Sequence, residues 1–136
     1  MLTINRETDY ACRVILHLAL LPEGTRVTAQ QIARKRIIPR ALIRRVITKL
    51  SHANLLTTVR GNGGGIRLAR PASEINLRQV VEAIEGEIAL NACVINPKAC
   101  PLMKTCTVHL AWVNAQQHLV AELEQATFDK LVKSKT

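Results

Sequence analysis

Aromatic side chains are scarce in this chain: one Trp, one Tyr and one Phe among 136 residues. Its core must therefore be filled by aliphatics, and 48% apolar residues suffice for one compact domain of this length. Long apolar runs are missing as well. The best candidate, VILHLALL from Val14 to Leu21, holds a histidine and falls well short of the ~20 residues needed to span a bilayer. The opening MLTINRETDY carries acids and has no signal-peptide core, so a cytoplasmic protein that does not enter membranes is expected. There is no nucleophile elbow, no nucleotide fingerprint and no pair of acids in a glycine-bounded pocket, which argues against an enzyme. Acids are few too: ten Asp and Glu against nineteen Lys and Arg leave a formal charge of +9, suited to a polyanionic partner.

What is present is organised. The segment from about Thr8 to Leu21 is apolar on most sides, as a buried helix is, and Pro22 and Gly24 end it. Thr28 and Gln31 have capping-box spacing, which predicts a short helix over Ala29 to Lys35. After the turn RIIP, Pro39 suits a first helical position, and a third helix runs to about Ser51. On it Leu42, Ile43, Val46, Ile47 and Leu50 share an arc of roughly 140° at 100° per residue, leaving Arg40, Arg44, Arg45, Thr48, Lys49 and His52 outside. Isolated, such a charged face is ordinary solvated surface. As the second member of a short helix pair it is a candidate recognition helix for the major groove.

LLTTVR and IRLAR then read as two short strands joined by GNGGG, whose glycines tolerate positive φ. A phosphate-binding loop of Walker type is the rival, but GNGGGI lacks the Gly-Lys-Ser/Thr ending. A helix pair followed by a basic hairpin makes a winged helix, with Arg60 placed to enter a narrow minor groove. Thr28, Arg40, Arg44, Arg45, Thr48, Arg60, Gly61, Asn62 and Gly63 form the expected DNA-contacting set. INLRQVVEAIEG predicts a further amphipathic helix stopped by Gly86. A long helix from about Val108 to Ala126 is expected to cover the core or, preferably, to pair with a second copy. The expected fold is mainly α with a small β-hairpin. Residues 1–75 would form the winged helix-turn-helix and residues 76–136 the cysteine loop and dimerisation helix, one compact domain overall.

Cys93, Cys100 and Cys106 are separated by six and five residues, and His109 follows three positions after Cys106. Reduced cytosolic thiols at such spacing bind metal or do redox chemistry more often than they form disulfides. Cys₃His is a legitimate closed zinc site, although the tight Cys-x₂-Cys knuckle is missing, and a wide loop can wrap a larger iron-sulfur cluster. Cys12, inside the first helix, reads as a core residue.

The motifs LT, TDYACR, VRGNGGGIRLARPASEI, VVEAIEG and the three-cysteine loop together closely resemble the Rrf2 family of winged-helix regulators, which includes IscR, NsrR and RirA, over nearly the whole chain. The resemblance implies a homodimer that binds a pseudo-palindromic double-stranded operator while three cysteines hold an iron-sulfur cluster. It implies a regulator, expected to be a repressor, that senses nitric oxide, iron or redox status. For the fourth ligand it implies two competitors. CTVHLAW is similar to the segment in which IscR bears the histidine of a [2Fe-2S] cluster, pointing to His109. TDYACR and CPLMKTC are similar to NsrR and RirA, pointing to Asp9 from the partner subunit and a [4Fe-4S] cluster, and the preference falls there. Arg44 stands where IscR has a base-reading glutamate, so the operator should differ, because Arg prefers guanine and Glu accepts from cytosine. The alternatives are a winged-helix regulator with structural zinc or bare thiols at the same cysteines, and an iron-sulfur electron carrier.

Overall fold

The computed structural model describes residues 2–61 and 64–134. Helix α1 (Arg6–Ala19) starts earlier than its apolar pattern suggests, because the Asn5 side chain caps it by accepting the Thr8 backbone N–H at 2.7 Å. Glu7 and Asp9 then sit in a first turn where the helix dipole favours acids. Tyr10, Ala11, Val14, Ile15 and Leu18 are buried, and α1 is the spine against which most later elements pack.

Helix α2 (Ala29–Arg36) has the expected capping box, with Gln31 N donating to Thr28 Oγ1 at 3.1 Å and Thr28 N to Gln31 Oε1 at 2.8 Å. It ends at Ile37, held at φ 55°, and the buried Ile38 plugs the turn. Pro39 lies just outside helix α3 (Arg40–His52) as its extended N-cap, at φ −56° and ψ 134°, not in the first helical position. Its carbonyl accepts from Leu42 and Ile43, so the fixed proline φ aims the chain into the helix without using a helical slot. Ile43, Val46, Ile47 and Leu50 face the core.

Strands β1 (Leu56–Val59) and β2 (Gly65–Leu68) pair antiparallel, Leu56 opposite Leu68 and Val59 opposite Gly65. Val27 extends the sheet by exchanging two bonds with Ile66, at 2.7 and 3.1 Å, which ties the wing to the segment before α2. Glycine is required at position 64, where a Cβ would run into the backbone of Val59 and Gly61.

After a 3₁₀ turn at Ala72–Glu74, α4 (Leu77–Glu85) opens with a second capping box, Asn76 with Gln79, and stops at Gly86, φ 85°. A short α5 (Ala92–Ile95) and a 3₁₀ turn at Pro97–Ala99 lead to α6 (His109–Gln125). Arg78 on α4 bonds Glu82 and also reaches Glu124, joining α4 to α6. The chain then turns back, with Leu77 N donating to Ala126 O at 3.0 Å and Phe128 N to Ile75 O at 2.9 Å. This sets α7 (Phe128–Leu131) against α1, with Phe128 only 1% exposed. No helix among the described residues is long and apolar enough to cross a membrane.

Phe128 is the largest fully buried side chain, so Phe128→Ala should lower unfolding free energy by about 3–5 kcal/mol in a denaturant titration. A loss below about 1 kcal/mol would mean that the C-terminal segment is not part of the core.

Candidate DNA interface and cysteine cavity

The solvent face of α3 carries two cationic stripes. Arg40, Arg44 and Thr48 recur every fourth residue and are all exposed. Arg40 and Arg44 line an open groove between α2 and α3 with Thr28, Gln30 and Arg34, and Thr48 Oγ1 is bonded back to Arg44 O at 2.9 Å. Arg45 and Lys49 form the second stripe, and both are held by Glu7 of α1. Arg45 Nε donates to Glu7 Oε1 at 3.0 Å and Nη2 to Oε2 at 2.9 Å, while Lys49 Nζ lies 3.0 Å from Oε1. The Arg45 guanidinium, helped by Lys49, keeps the Glu7 carboxyl below the ordinary glutamate range against a partial opposing effect of burial. Arg60 is exposed at the end of β1, next to Gly61 at φ 86°. Asn62 and Gly63 lie outside the described residues.

The helix-turn-helix is fastened from behind by Arg13. Its Nη1 donates to the carbonyls of Arg36 at 3.1 Å and Ile37 at 3.2 Å, two groups that the end of α2 leaves without helical partners. Its Nη2 meets Asp9 Oδ2 at 2.7 Å, one turn earlier on α1, and its guanidinium stacks 5.2 Å from the Tyr10 ring centre. A β-branched residue at positive φ is strained, and the bond from Arg13 to the Ile37 carbonyl joins the capping bonds of the Ile37 and Ile38 N–H groups to Ala33 O in holding it there. Arg36 Nε in turn donates to His17 Nδ1 at 3.0 Å; burial, then the charges of Arg36 and Lys35, push the His17 pKa below its usual value and favour the neutral ring that can accept this bond.

Cys93 on α5, Cys100 after the 3₁₀ turn and Cys106 before α6 line one cavity of about 430 Å³, with Met103 and Trp112. All are free thiols. The loop leading into them is pinned by Gln116 of α6, whose Nε2 donates to Ile88 O at 2.7 Å and whose Oε1 accepts from Leu90 N at 2.8 Å. His109, at the start of α6, places Nδ1 3.3 Å from Cys93 Sγ. Among the described residues no three Cys, His, Asp or Glu donors are close enough to share a single metal ion. Asp9 lies elsewhere, in a separate cavity of about 460 Å³ with Ile4, Cys12, Leu77, Val81 and Leu123. Among the described residues of one chain, then, His109 meets Cys93, and Asp9 lies in the other cavity. Glu7, Arg13, Gln116 and Trp112 complete these sites and were not singled out from sequence. Only Asp9 and Arg13, four apart on one helix, carried a local signal.

Comparison with known proteins gives a consistent picture. A family model described as "Rrf2: Iron-dependent Transcriptional regulator" matches residues 4–134. Protein aau3 of Rhizobium meliloti (strain 1021) is 33% identical over 134 residues, covering 97% of this chain and 86% of its own. Among solved structures, CymR (YrzC), the global cysteine regulator of B. subtilis, is similar with a TM-score of 0.79 at 18% identity over 100% of both chains. IscR of T. potens is similar with a TM-score of 0.76 at 20% identity over 98% of this chain and 89% of that one. At these identities the structural likeness establishes the winged-helix fold.

The thiols should separate by reactivity. Burial, followed by the charge of Asp9, pushes Cys12 up to about 11, so at neutral pH it is a protonated, slow nucleophile. In metal-free reduced protein, iodoacetamide should label Cys93, Cys100 and Cys106 well before Cys12, whose rate should climb only as pH approaches that value. Equal rates for all the thiols in folded protein would contradict the burial of Cys12.

Proposed function

This chain belongs to the Rrf2 family of DNA-binding transcriptional regulators, which are not enzymes, and from that premise we propose that it is a homodimeric cytoplasmic repressor whose operator affinity is set by an iron-sulfur cluster on Cys93, Cys100 and Cys106. The observation that carries this reading is the convergence of all three thiols on one cavity. Thiolates are soft ligands suited to such clusters. When bound, the cluster supplies a redox-labile centre that nitric oxide, iron shortage or oxidants can destroy. Gln116 fixes the loop entry, and Met103 with the partly exposed Trp112 gives the cavity apolar lining.

His109 is our first candidate for the fourth ligand, on its 3.3 Å approach to Cys93, and a [2Fe-2S] cluster goes with it. A second reading, the partner subunit's Asp9 with a [4Fe-4S] cluster, is favoured by a different observation. Asp9 is one bond from Arg13, and Arg13 holds the turn of the helix-turn-helix, so a ligand at Asp9 would reach the DNA-reading element through a single side chain.

In this reading residues 1–75 form the DNA head and residues 76–136 carry the cysteine loop and dimerisation helix. The 17-residue α6 has no buried residue within one chain, and Leu110 (66% exposed) and Leu119 (37%) await a partner; a second copy of α6 is the occupant we propose. The two recognition helices would then meet successive major grooves of a pseudo-palindromic operator. Arg40, Arg44 and Thr48 would face bases and phosphates with Arg45 beside them on the same helix, Thr28 sits at the start of α2, and Arg60 with Gly61 would lead the wing toward the minor groove.

Anaerobic purification with iron and sulfide counting and visible and Mössbauer spectra tests this. Cys93→Ala, Cys100→Ala and Cys106→Ala should each be colourless while Cys12→Ala keeps its colour. His109→Ala should lose or convert the cluster and Asp9→Ala keep it; the reverse pattern establishes the cross-subunit ligand. Folded wild-type protein that binds zinc but neither iron nor sulfide would overturn the cluster assignment.

A further inference from the structure

We infer that Glu7 is a specificity-determining residue for DNA, acting by holding Arg45 and Lys49 out of the set of phosphate contacts. The observation is an acid where a basic interface would not be expected to keep one. Recognition helix α3 faces solvent with Arg40, Arg44, Arg45 and Lys49, and among the described residues Glu7 is the acid that pairs with that face. Its carboxylate is 13% exposed and therefore fixed, whereas the Arg45 side chain that it grips is 63% exposed and would otherwise be free to swing.

The geometry is that of a fork. Glu7 takes Nε and Nη2 of Arg45 with its two oxygens, and one of those oxygens also faces the Lys49 ammonium. The bidentate arrangement uses the same edge of the guanidinium that a phosphate would use. A phosphate approaching Arg45 must displace a carboxylate rooted in α1 or lie beside its negative charge. Either outcome weakens the sequence-independent, counterion-releasing part of binding. Among the described residues the stripe of Arg40 and Arg44 has no such acidic partner, and it lines the groove between α2 and α3. Glu7 thus divides one basic helix into an active stripe and a neutralised one. With the Arg45 side chain this exposed, the pair contributes little to folding, so its consequence lies in where positive charge is available. This inference needs only the DNA-binding role and is independent of the cluster.

The test uses the whole folded chain and two probes: an operator obtained by selecting a random duplex pool with the wild-type protein, and a random-sequence duplex of the same length. Glu7→Gln keeps the size of the side chain and removes the charge. Its affinity for the random duplex should rise at low salt, and the slope of log affinity against log salt should steepen by about 0.9 to 1.8, the value for one or two added phosphate contacts. The ratio of operator to random-duplex affinity should fall. Adding Arg45→Gln to Glu7→Gln should return most of the slope, and Glu7→Asp should stay near wild type, neither of which a purely structural role predicts. Unchanged or weaker random-duplex binding by folded Glu7→Gln would overturn the inference. Should that variant not fold, Arg45→Gln with Lys49→Gln in the wild-type background decides it. Little change in the salt slope supports the neutralised stripe, and a slope shallower by about 1.8 refutes it.

Discussion

The Arg13 guanidinium ties α1 to the turn between α2 and α3. A helix-turn-helix needs a sharp reversal after its first helix, and here that reversal places a β-branched residue, Ile37, at φ 55° with α2 carbonyls pointing away from any helical donor. Arg13 supplies the missing donors from α1, and Asp9 and the Tyr10 ring fix its own position. The orientation of α3 follows from that turn, and the wing follows from α3, because Val27 and β2 are paired on the other side of α2. α1 is therefore more than a core helix. One side of its first turn grips α3 through Glu7, the next side reaches the turn through Asp9 and Arg13, and Thr8 between them is buried with its hydroxyl on Glu85 of α4.

The cysteine loop is built differently. It has little regular structure beyond α5, and what fixes it is the long α6, through Gln116 at its entry and His109 at its exit. α6 rests on α4 through a half-buried face and leaves Leu110 and Leu119 exposed, so the loop's rigidity is tied to α4 and to whatever covers the rest of that helix. In the proposed dimer a change in the loop would be felt at the helix-helix contact, and through it at the spacing of the two recognition helices.

Much of this could be read from local chemistry. The capping box at Thr28 and Gln31, the proline before α3, the apolar stripe from Leu42 to Leu50 and the glycines of the wing all act within a few residues of themselves, so their spacing is their signature. The start of α1 was harder, since an Asn cap followed by Arg-Glu carries no apolar periodicity. α7 was missed because one Phe in a short polar segment has no repeat to reveal it; it is buried by bonds to Ile75, far away in the chain. The Glu7–Arg45 pair spans 38 residues and left no local trace at all. The thiols are recognisable as a set, but spacing alone does not say which further donor would join them in the proposed cluster site, because that depends on how α6 leaves the loop and, in the proposed dimer, on the partner.

The measurement that bears most directly on the central claim is the affinity of one protein preparation for its selected operator at fixed salt, cluster-loaded under anaerobic conditions and again after the cluster is removed and the thiols kept reduced. A cluster-controlled regulator should show a change of between about 5-fold and 150-fold, the usual range of coupling between two sites. Cys106→Ala should sit at the stripped value whatever the treatment. Equal operator affinity in loaded and stripped protein, with the fold intact in both, would contradict it.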